Sequence, residues 1–443
     1  MDYKEFAGFV KKRAIELGAG DVVASVAQDT SSQVKFSNSK ISVTQTWDEV
    51  SMSIFLAIKQ QIAMTSSKDF DRNKIEDTLK TLVSFCKRTK PNTDYHGIAK
   101  GPFTYKKIEG IYDPKIKTAN PIDITEAAIN KAIDSGARRV AGITEFSDRW
   151  HYVSTSGNAE AEEFSSLFHA SVRSLVDKES GGHITTSSRM LSTFDYLRGA
   201  EESGEIAREC VNPKPGSAGT YDLLFHPLAI ANLLSIAGNS ASAFNVEAGL
   251  SFFGNQIGKK VGSDLVTFRD DPTVPNSIGS MAFDAEGAPS QNTVIIDKGI
   301  LKTYLHNTST AHKYKTKTTA NAGLIGPDAR NLILGKGTYS KDEMIASIKK
   351  GIFITNVWYT RFQNYTDGQF STIPRDGAFL IGNGKIKHAI KGIRISDNML
   401  NILKNVAALG KEQRQILSWE TDIPTATPFV LVKNVRITKP VEK

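Results

Sequence analysis

At the start of the chain, apolar positions recur at helical spacing. Tyr3, Phe6, Phe9, Val10, Ala14 and Leu17 share one face, and Gly18 stands where such a helix ends. Alternating, β-branched runs follow over 21–27, 33–37, 41–47, 50–59 and 61–66, and these predict strands joined by polar turns. The helical period returns over 71–87. There Ile75, Leu79, Leu82, Val83 and Cys86 form one apolar side, which makes Cys86 a core residue. Prolines and glycines interrupt any period between 88 and 121, so this stretch reads as a connector. A helix is expected over 122–135. Strands over 140–146 and 151–156 are expected to pair as a hairpin. The Gly157-Asn158 turn then leads to alternation over 164–176, and a helix is expected over 192–211.

The segment Asn212-Pro213-Lys214-Pro215-Gly216 is the natural boundary. It divides the chain into an N-terminal α+β domain, 1–212, and a C-terminal β-rich domain, 217–443. His226-Pro227 opens a short helix to 236, with His226 as a cap or turn residue. Short strand runs are then expected at 261–268, 293–296, 332–335, 352–360, 378–381 and 429–435. Asn383-Gly384 is a two-residue hairpin signal. One longer helix is expected over 397–409. The fold class is α+β: helices on mainly antiparallel strands in the first half, and a largely antiparallel, barrel-like second half.

At 443 residues, 40% apolar and 23% charged, the chain has the composition of a soluble globular protein with ample core. The two cysteines, Cys86 and Cys210, cannot make a disulfide framework or a four-cysteine zinc site. The N-terminus has no secretion-type apolar region and no run is long enough to span a membrane, so the expected location is the cytoplasm. Residues 1–214 hold 29 basic and 29 acidic side chains, so the whole net charge of +8 belongs to the second half. Its basic clusters, around Lys313 and Lys391, lack interleaved aromatics and read as solvated faces rather than a nucleic-acid platform.

Catalytic motifs are absent from the sequence. It has no P-loop, no GxSxG elbow and no HExxH, and Gly382-Asn383-Gly384 lacks the third glycine of a dinucleotide site. Two close carboxylate pairs, Asp270-Asp271 before Pro272 and Asp284 with Glu286 before Gly287, could hold a cation or do acid–base work. Acidic residues beside proline and glycine are ordinary turn chemistry, and that is the favoured reading.

The same turns carry a resemblance. Val266-Thr267-Phe268-Arg269-Asp270-Asp271-Pro272 is followed by Phe283-Asp284-Ala285-Glu286-Gly287, then Lys298-Gly299-Ile300-Leu301, Tyr304-Leu305 and Ala311. Lys35-Phe36-Ser37-Asn38-Ser39-Lys40-Ile41 lies earlier, as do Ser251-Phe252-Phe253-Gly254 and Ile257-Gly258. Phe370-Ser371, Arg375-Asp376-Gly377-Ala378-Phe379 and Asn383-Gly384-Lys385-Ile386 lie later. In order and spacing this resembles the TldD/PmbA family, also called modulators of DNA gyrase, over almost the whole chain.

The resemblance implies a choice between two kinds of subunit. TldD is a zinc metalloprotease with an HExxxH helix and a further cysteine ligand; TldE, or PmbA, shares its fold without those ligands. In the matching helix, 233–240, Ser235 stands for the first histidine and Ile236 for the glutamate. Asn239 and Ser240 complete a stretch with no histidine, and 419–435 has no cysteine. The implied role is a non-catalytic TldE-like subunit, paired with a TldD-like catalytic chain as a heterodimeric peptidase acting on unfolded peptides and small proteins. This chain would hold no cofactor, zinc belonging to the partner. A homodimer remains open. The resemblance places no catalytic residue here and marks Asp270, Asp271, Asp284, Glu286, Gly287, Arg375 and Gly377 as family-motif turns. The alternatives are a standalone peptide- or antitoxin-binding protein, a gyrase modulator, or a metallopeptidase with an unrecognised site.

Overall fold

The computed structural model describes residues 2–439. The Asp2 carboxylate accepts from the backbone N–H groups of Lys4 and Glu5 and so caps helix α1 (Tyr3–Glu16). Then come β1 (Asp21–Ser37), β2 (Lys40–Ile58), β3 (Gln61–Ser67), α2 (Arg72–Cys86), α3 (Pro121–Asp134), β4 (Arg139–Thr155), β5 (Glu160–Leu175), β6 (Gly181–Ser188) and α4 (Tyr196–Glu209). The six strands form one antiparallel sheet in the order β3-β2-β1-β4-β5-β6. Phe6, Val10 and Ala14 of α1, with Ile75, Leu79, Val83 and Cys86 of α2, pack on Val22, Ala24, Met52, Ile54 and Leu56 of the sheet.

The strands are longer than the sequence pattern predicts. The runs 21–27 and 33–37 are one strand, and 140–146 and 151–156 are not a hairpin but the single strand β4. The reason is pairing on both sides. β1 lies between β2 and β4, so its polar stretch 28–32 keeps both backbone edges bonded and has no cause to turn.

The second half begins at β7 (Lys214–Pro215), β8 (Gly219–Phe225), α5 (Pro227–Ser240) and α6 (Ala243–Glu247). Next are β9 (Phe268–Asp270), β10 (Thr293–Asp297), β11 (Ile300–Leu301), α7 (Thr308–Lys313), β12 (Leu332–Leu334) and α8 (Lys341–Ser347). The chain continues through β13 (Lys350–Ile354), β14 (Val357–Asn364), β15 (Gln369–Pro374), β16 (Ala378–Gly382) and β17 (Lys385–Lys391). It finishes with β18 (Arg394–Asn398), α9 (Met399–Lys404), β19 (Val406–Ser418) and β20 (Thr421–Thr438). These strands make a 14-stranded mixed sheet with the main path β11-β10-β9-β12-β20-β8-β13-β16-β17-β7. Most pairs are antiparallel, and three are parallel: β12 with β20, β8 with β13, and β7 with β17. The α+β class therefore holds. Among the described residues the path branches at β20 and does not close, so the barrel-like expectation is replaced by an open sheet.

Helix α5 is buried on nearly all sides, with Leu233, Leu234 and Ala237 inside the main core. Gly238 lets it lie close to β12, since a Cβ there would come 2.4 Å from a Leu332 methyl. The long helix expected over 397–409 is only the short α9. Asn398 caps it, accepting from Leu400 and Asn401 N–H, and from Val406 onward the backbone pairs with β20 instead. Helix and strand share an apolar pattern there, and the available partner decides between them.

The two sheets meet along apolar seams. Ile184 and Ile206 pack with Leu224, Phe353 and Phe379, and Val23, Phe55 and Val153 pack with Phe283. Among the described residues no helix is long and apolar enough to cross a membrane.

Candidate functional site

Three places hold the residues singled out by the sequence, and the structure does not merge them into one centre. The first is α5. His226 is its N-cap: Nδ1 accepts from the Leu228 N–H at 3.0 Å, and Nε2 lies 3.3 Å from a Glu202 oxygen of α4 and 3.0 Å from Arg414 Nη1. Burial lowers the His226 pKa, in keeping with a neutral ring. Further along, Thr360 Oγ1 donates to Asn232 Oδ1 at 2.7 Å, and the Asn232 amide donates to the Glu420 carbonyl. Ser235 is buried, and its hydroxyl accepts from the Ile423 N–H at 3.2 Å. Ile236 is half-buried against the core, Asn239 is exposed, and the Ser240 carbonyl accepts from Ser251 Oγ at 2.5 Å.

This helix does not fit zinc. A protein zinc site draws on imidazole, thiolate or carboxylate donors. Here the leading position offers a hydroxyl already bonded to a backbone amide, and the next offers a hydrocarbon. Among the described residues no group of three or more His, Cys, Asp or Glu side chains is placed to share a metal. Cys86 and Cys210 are buried elsewhere, at the ends of α2 and α4.

The second place is the pair of acidic turns. Asp270 Oδ1 accepts from the Arg330 and Asn331 N–H groups at 2.9 and 2.6 Å, and Oδ2 from Asn321 Nδ2 at 2.5 Å. Asp271 closes its own turn on Thr273. Asp284 accepts three backbone N–H bonds, from Glu286 at 3.0 Å and from Ala288 and Ala322 at 2.9 Å. Glu286 accepts from Ala99 N–H at 3.0 Å and from the Thr308 hydroxyl. Gly287 has φ +77°, and a Cβ there would meet Ala159 at 2.8 Å. The turns thus fasten the second half to the 92–105 connector and to the β4–β5 turn. Burial pushes the Asp270, Asp284 and Glu286 carboxyls up, and the Asp284 charge adds to the effect on Glu286. Their oxygens face backbone and side-chain donors, with Asp270 at the end of β9 rather than in a turn, and among the described residues none bonds to a side chain of α5.

Beside these turns lies a group that the sequence reading passed over. Glu163 of β5 accepts from the Ala282 N–H at 2.5 Å, and burial raises it to about 7. A carboxyl raised in the fold above its unfolded value stabilises most when protonated in both states. Its contribution is complete below about pH 4 and is lost as pH climbs through about 7. Glu163→Gln is therefore expected to flatten the fall of stability between pH 5 and 8, by up to about 3 kcal/mol. Urea midpoints across that range test this; a slope unchanged from that of the parent protein would refute it.

The third place is the cleft between the sheets at the β15–β16 turn. Gly377 has φ +136°, and a Cβ would sit 2.4 Å from Thr355 Oγ1. Its neighbour Asp376 is 3% exposed. Arg173 of β5 donates to its Oδ1 through Nε at 2.8 Å and Nη2 at 2.6 Å, and Asn356 Nδ2 donates to Oδ2 at 3.0 Å. His183 joins through Ser171 at 2.9 Å and Asn356 at 3.3 Å, and burial lowers it to about 4. The Arg375 guanidinium stacks 3.6 Å from the Trp358 ring centre. These side chains border a cavity of about 350 Å³, which Trp419 and Glu420 also line. The sequence marked Arg375 and Gly377 and quoted Asp376 between them in the same motif, but gave no signal for Arg173, His183, Asn356, Trp358, Trp419 or Glu420.

The basic clusters are ion-paired at their centres. Lys313 contacts Asp94 at 2.7 Å and Glu247 at 3.0 Å, and Lys391 contacts Glu179.

Residues 218–439 match the family model for the PmbA/TldA metallopeptidase C-terminal domain. A metalloprotease of Methanocaldococcus jannaschii is 33% identical over 228 residues, covering 49% of this chain and 49% of that protein. A metalloprotease TldD homolog of Buchnera aphidicola subsp. Acyrthosiphon pisum is 34% identical over 221 residues, covering 48% of this chain and 45% of the relative. The chain thus spans about half the length of these curated relatives. In three dimensions it is similar to TldE from Thermococcus kodakarensis, with a TM-score of 0.87 at 19% identity over 98% of this chain and 100% of that one. At that identity the likeness is one of fold.

Proposed function

Since the chain belongs to the PmbA/TldD metallopeptidase family, we propose that it is a non-catalytic, TldE-like subunit that pairs with a zinc-binding TldD-like chain to form a heterodimeric peptidase. One observation carries this reading: α5 presents Ser235, with its hydroxyl bonded to Ile423, and the hydrocarbon of Ile236 where zinc chemistry needs a ligand and a general base. Well-formed zinc sites supply roughly 10–16 kcal/mol, and a serine hydroxyl cannot replace imidazole in that role. The fold shared with a TldE supports the same reading. The proposed substrates are unfolded peptides and small proteins, cleaved at the partner's zinc, with this chain completing the groove. The Pro/Gly-rich 212–216 segment is proposed as the boundary between the part that shapes the groove and the part that matches the family model.

The test is size-exclusion chromatography with metal analysis and peptide cleavage, on this chain alone and mixed with a zinc-binding TldD-like chain. The chain alone is expected to be inert and to carry no stoichiometric zinc. The mixture is expected to elute as a heterodimer whose cleavage stops on chelation. Cleavage by the unmixed chain with about one bound zinc would overturn the reading and turn attention to Asp270, Asp271, Asp284 and Glu286. Failure to co-elute would favour a standalone binder.

A further inference from the structure

The cavity at the β15–β16 turn has a feature that the subunit reading does not use. Its floor is apolar: Leu228, in the first turn of α5, is 5% exposed and Val357 is 4% exposed. One wall is Trp358 with Arg375 stacked on it, and the tip of the β19–β20 hairpin supplies the rim. There Trp419 is 90% exposed, an extreme for a large apolar side chain, beside a half-buried Glu420.

The charges at this cavity fall into two sets. Arg173 and Asp376 are closed on each other and on Asn356. Arg375 and Glu420 are more open: among the described residues neither takes part in an ion pair, the Arg375 guanidinium donates no hydrogen bond, and the Glu420 carboxylate takes only the Tyr359 N–H. They line one cavity from different elements without meeting within ion-pair distance. Burial lowers Arg375 and raises Glu420, so each charge is partly stripped of water while neither is closed in a salt bridge. A purely anionic ligand would gain Arg375 and face Glu420; a purely cationic one would meet the reverse. A ligand that carries both charges on its backbone and an apolar side chain beside them satisfies the two groups and covers Leu228, Val357 and the tryptophans. A cavity of about 350 Å³ is of the size that holds such a small molecule.

We infer that this cavity binds a small zwitterion with an apolar body, of the class of free apolar amino acids and dipeptides, its α-carboxylate on Arg375 and its α-ammonium at Glu420. Trp358 and Trp419 hold the side chains by stacking and apolar contact.

The experiment is titration of the full, unmixed chain by tryptophan fluorescence and calorimetry. The probes are leucine, leucyl-leucine, N-acetyl-leucyl-leucine and leucyl-leucine amide. Saturable binding of leucine or leucyl-leucine is expected, and which of the two binds identifies the source of the zwitterion. Acetylation and amidation should each weaken binding about tenfold or more, the size of a lost charge-assisted hydrogen bond. Arg375→Gln should show the same loss for the free dipeptide and no further loss on amidation; Glu420→Gln should do so for acetylation. Both side chains lie at the cavity mouth, and circular dichroism of each variant checks that the fold is kept. A capped dipeptide that binds as tightly as a binding free probe, or no saturable signal from either free probe, would overturn the assignment. Because no partner is present, this result stands or falls apart from the heterodimer test.

Discussion

Asp284→Ala is expected to lower the unfolding free energy by about 4 kcal/mol, one of the largest single-residue effects in the molecule. The carboxylate is 2% exposed and accepts three backbone N–H groups, those of Glu286, Ala288 and Ala322. Alanine orphans all three in a place where water has no ready access. Each buried donor left unmade costs about 1–3 kcal/mol, and partial relaxation brings the sum to the lower part of that range. Asp284→Asn is expected to fall between parent and alanine. It keeps one acceptor oxygen but turns an NH₂ toward a backbone donor. Asp177, which caps Glu179 and Ser180 N–H groups in an exposed turn, is the control. Its alanine variant should cost about 1 kcal/mol or less, because water replaces the carboxylate. Urea unfolding with a shared slope measures all three. An Asp284→Ala variant within about 1 kcal/mol of the parent would sink the clamp assignment.

Arg173→Ala is expected to cost about 3–5 kcal/mol, through the partner it abandons. Asp376 is 3% exposed, so without Arg173 it keeps only the Asn356 amide. The guanidinium is 34% exposed and would lose little by itself. The penalty therefore belongs to the stranded charge, and removing that charge should recover part of it. Arg173→Met combined with Asp376→Asn is expected to be more stable than Arg173→Ala alone. Because Arg173 lies in the first sheet and Asp376 in the turn between β15 and β16 of the second, Arg173→Ala should also loosen the joint between them. Tryptophan fluorescence and circular dichroism, coincident in the parent, should then unfold at different urea concentrations. Coincident curves and a loss below about 1 kcal/mol would show that the pair holds nothing.

What could be read from the sequence follows what is local. Helix α2 was legible because Ile75, Leu79, Leu82, Val83 and Cys86 all reach one core. The Asp284 turn was legible because Asp284 accepts from Glu286 and Ala288 within it, whereas Asp270 ends β9 and accepts from Asn321, Arg330 and Asn331, which no local pattern names. The single strand β4 was not, since its polar middle is held by neighbours on both sides that the sequence does not name. Residues 406–409 continue a helical pattern and become strand only because β20 is there to pair with them. The same limit hides most of the cleft. Arg173 and Asp376 stand 203 positions apart, so no spacing rule could join them, and Arg375 was visible only through its motif.

The place of β20 in the second sheet bears on the order in which the protein is made. This strand bonds to β8, β12, β18 and β19, so it is the spine of that sheet. Its neighbour β8 leaves the ribosome long before it, and one edge of β8 must wait, unbonded, for almost the whole of the second half to be synthesised. The first sheet is complete at Ser188 and owes β20 none of its hydrogen bonds. Translation thus delivers a finished first sheet attached to a second whose central strand is missing. Until Thr421 and the residues after it emerge, the apolar face of α5 that packs on β20 depends on the nascent chain's surroundings for cover.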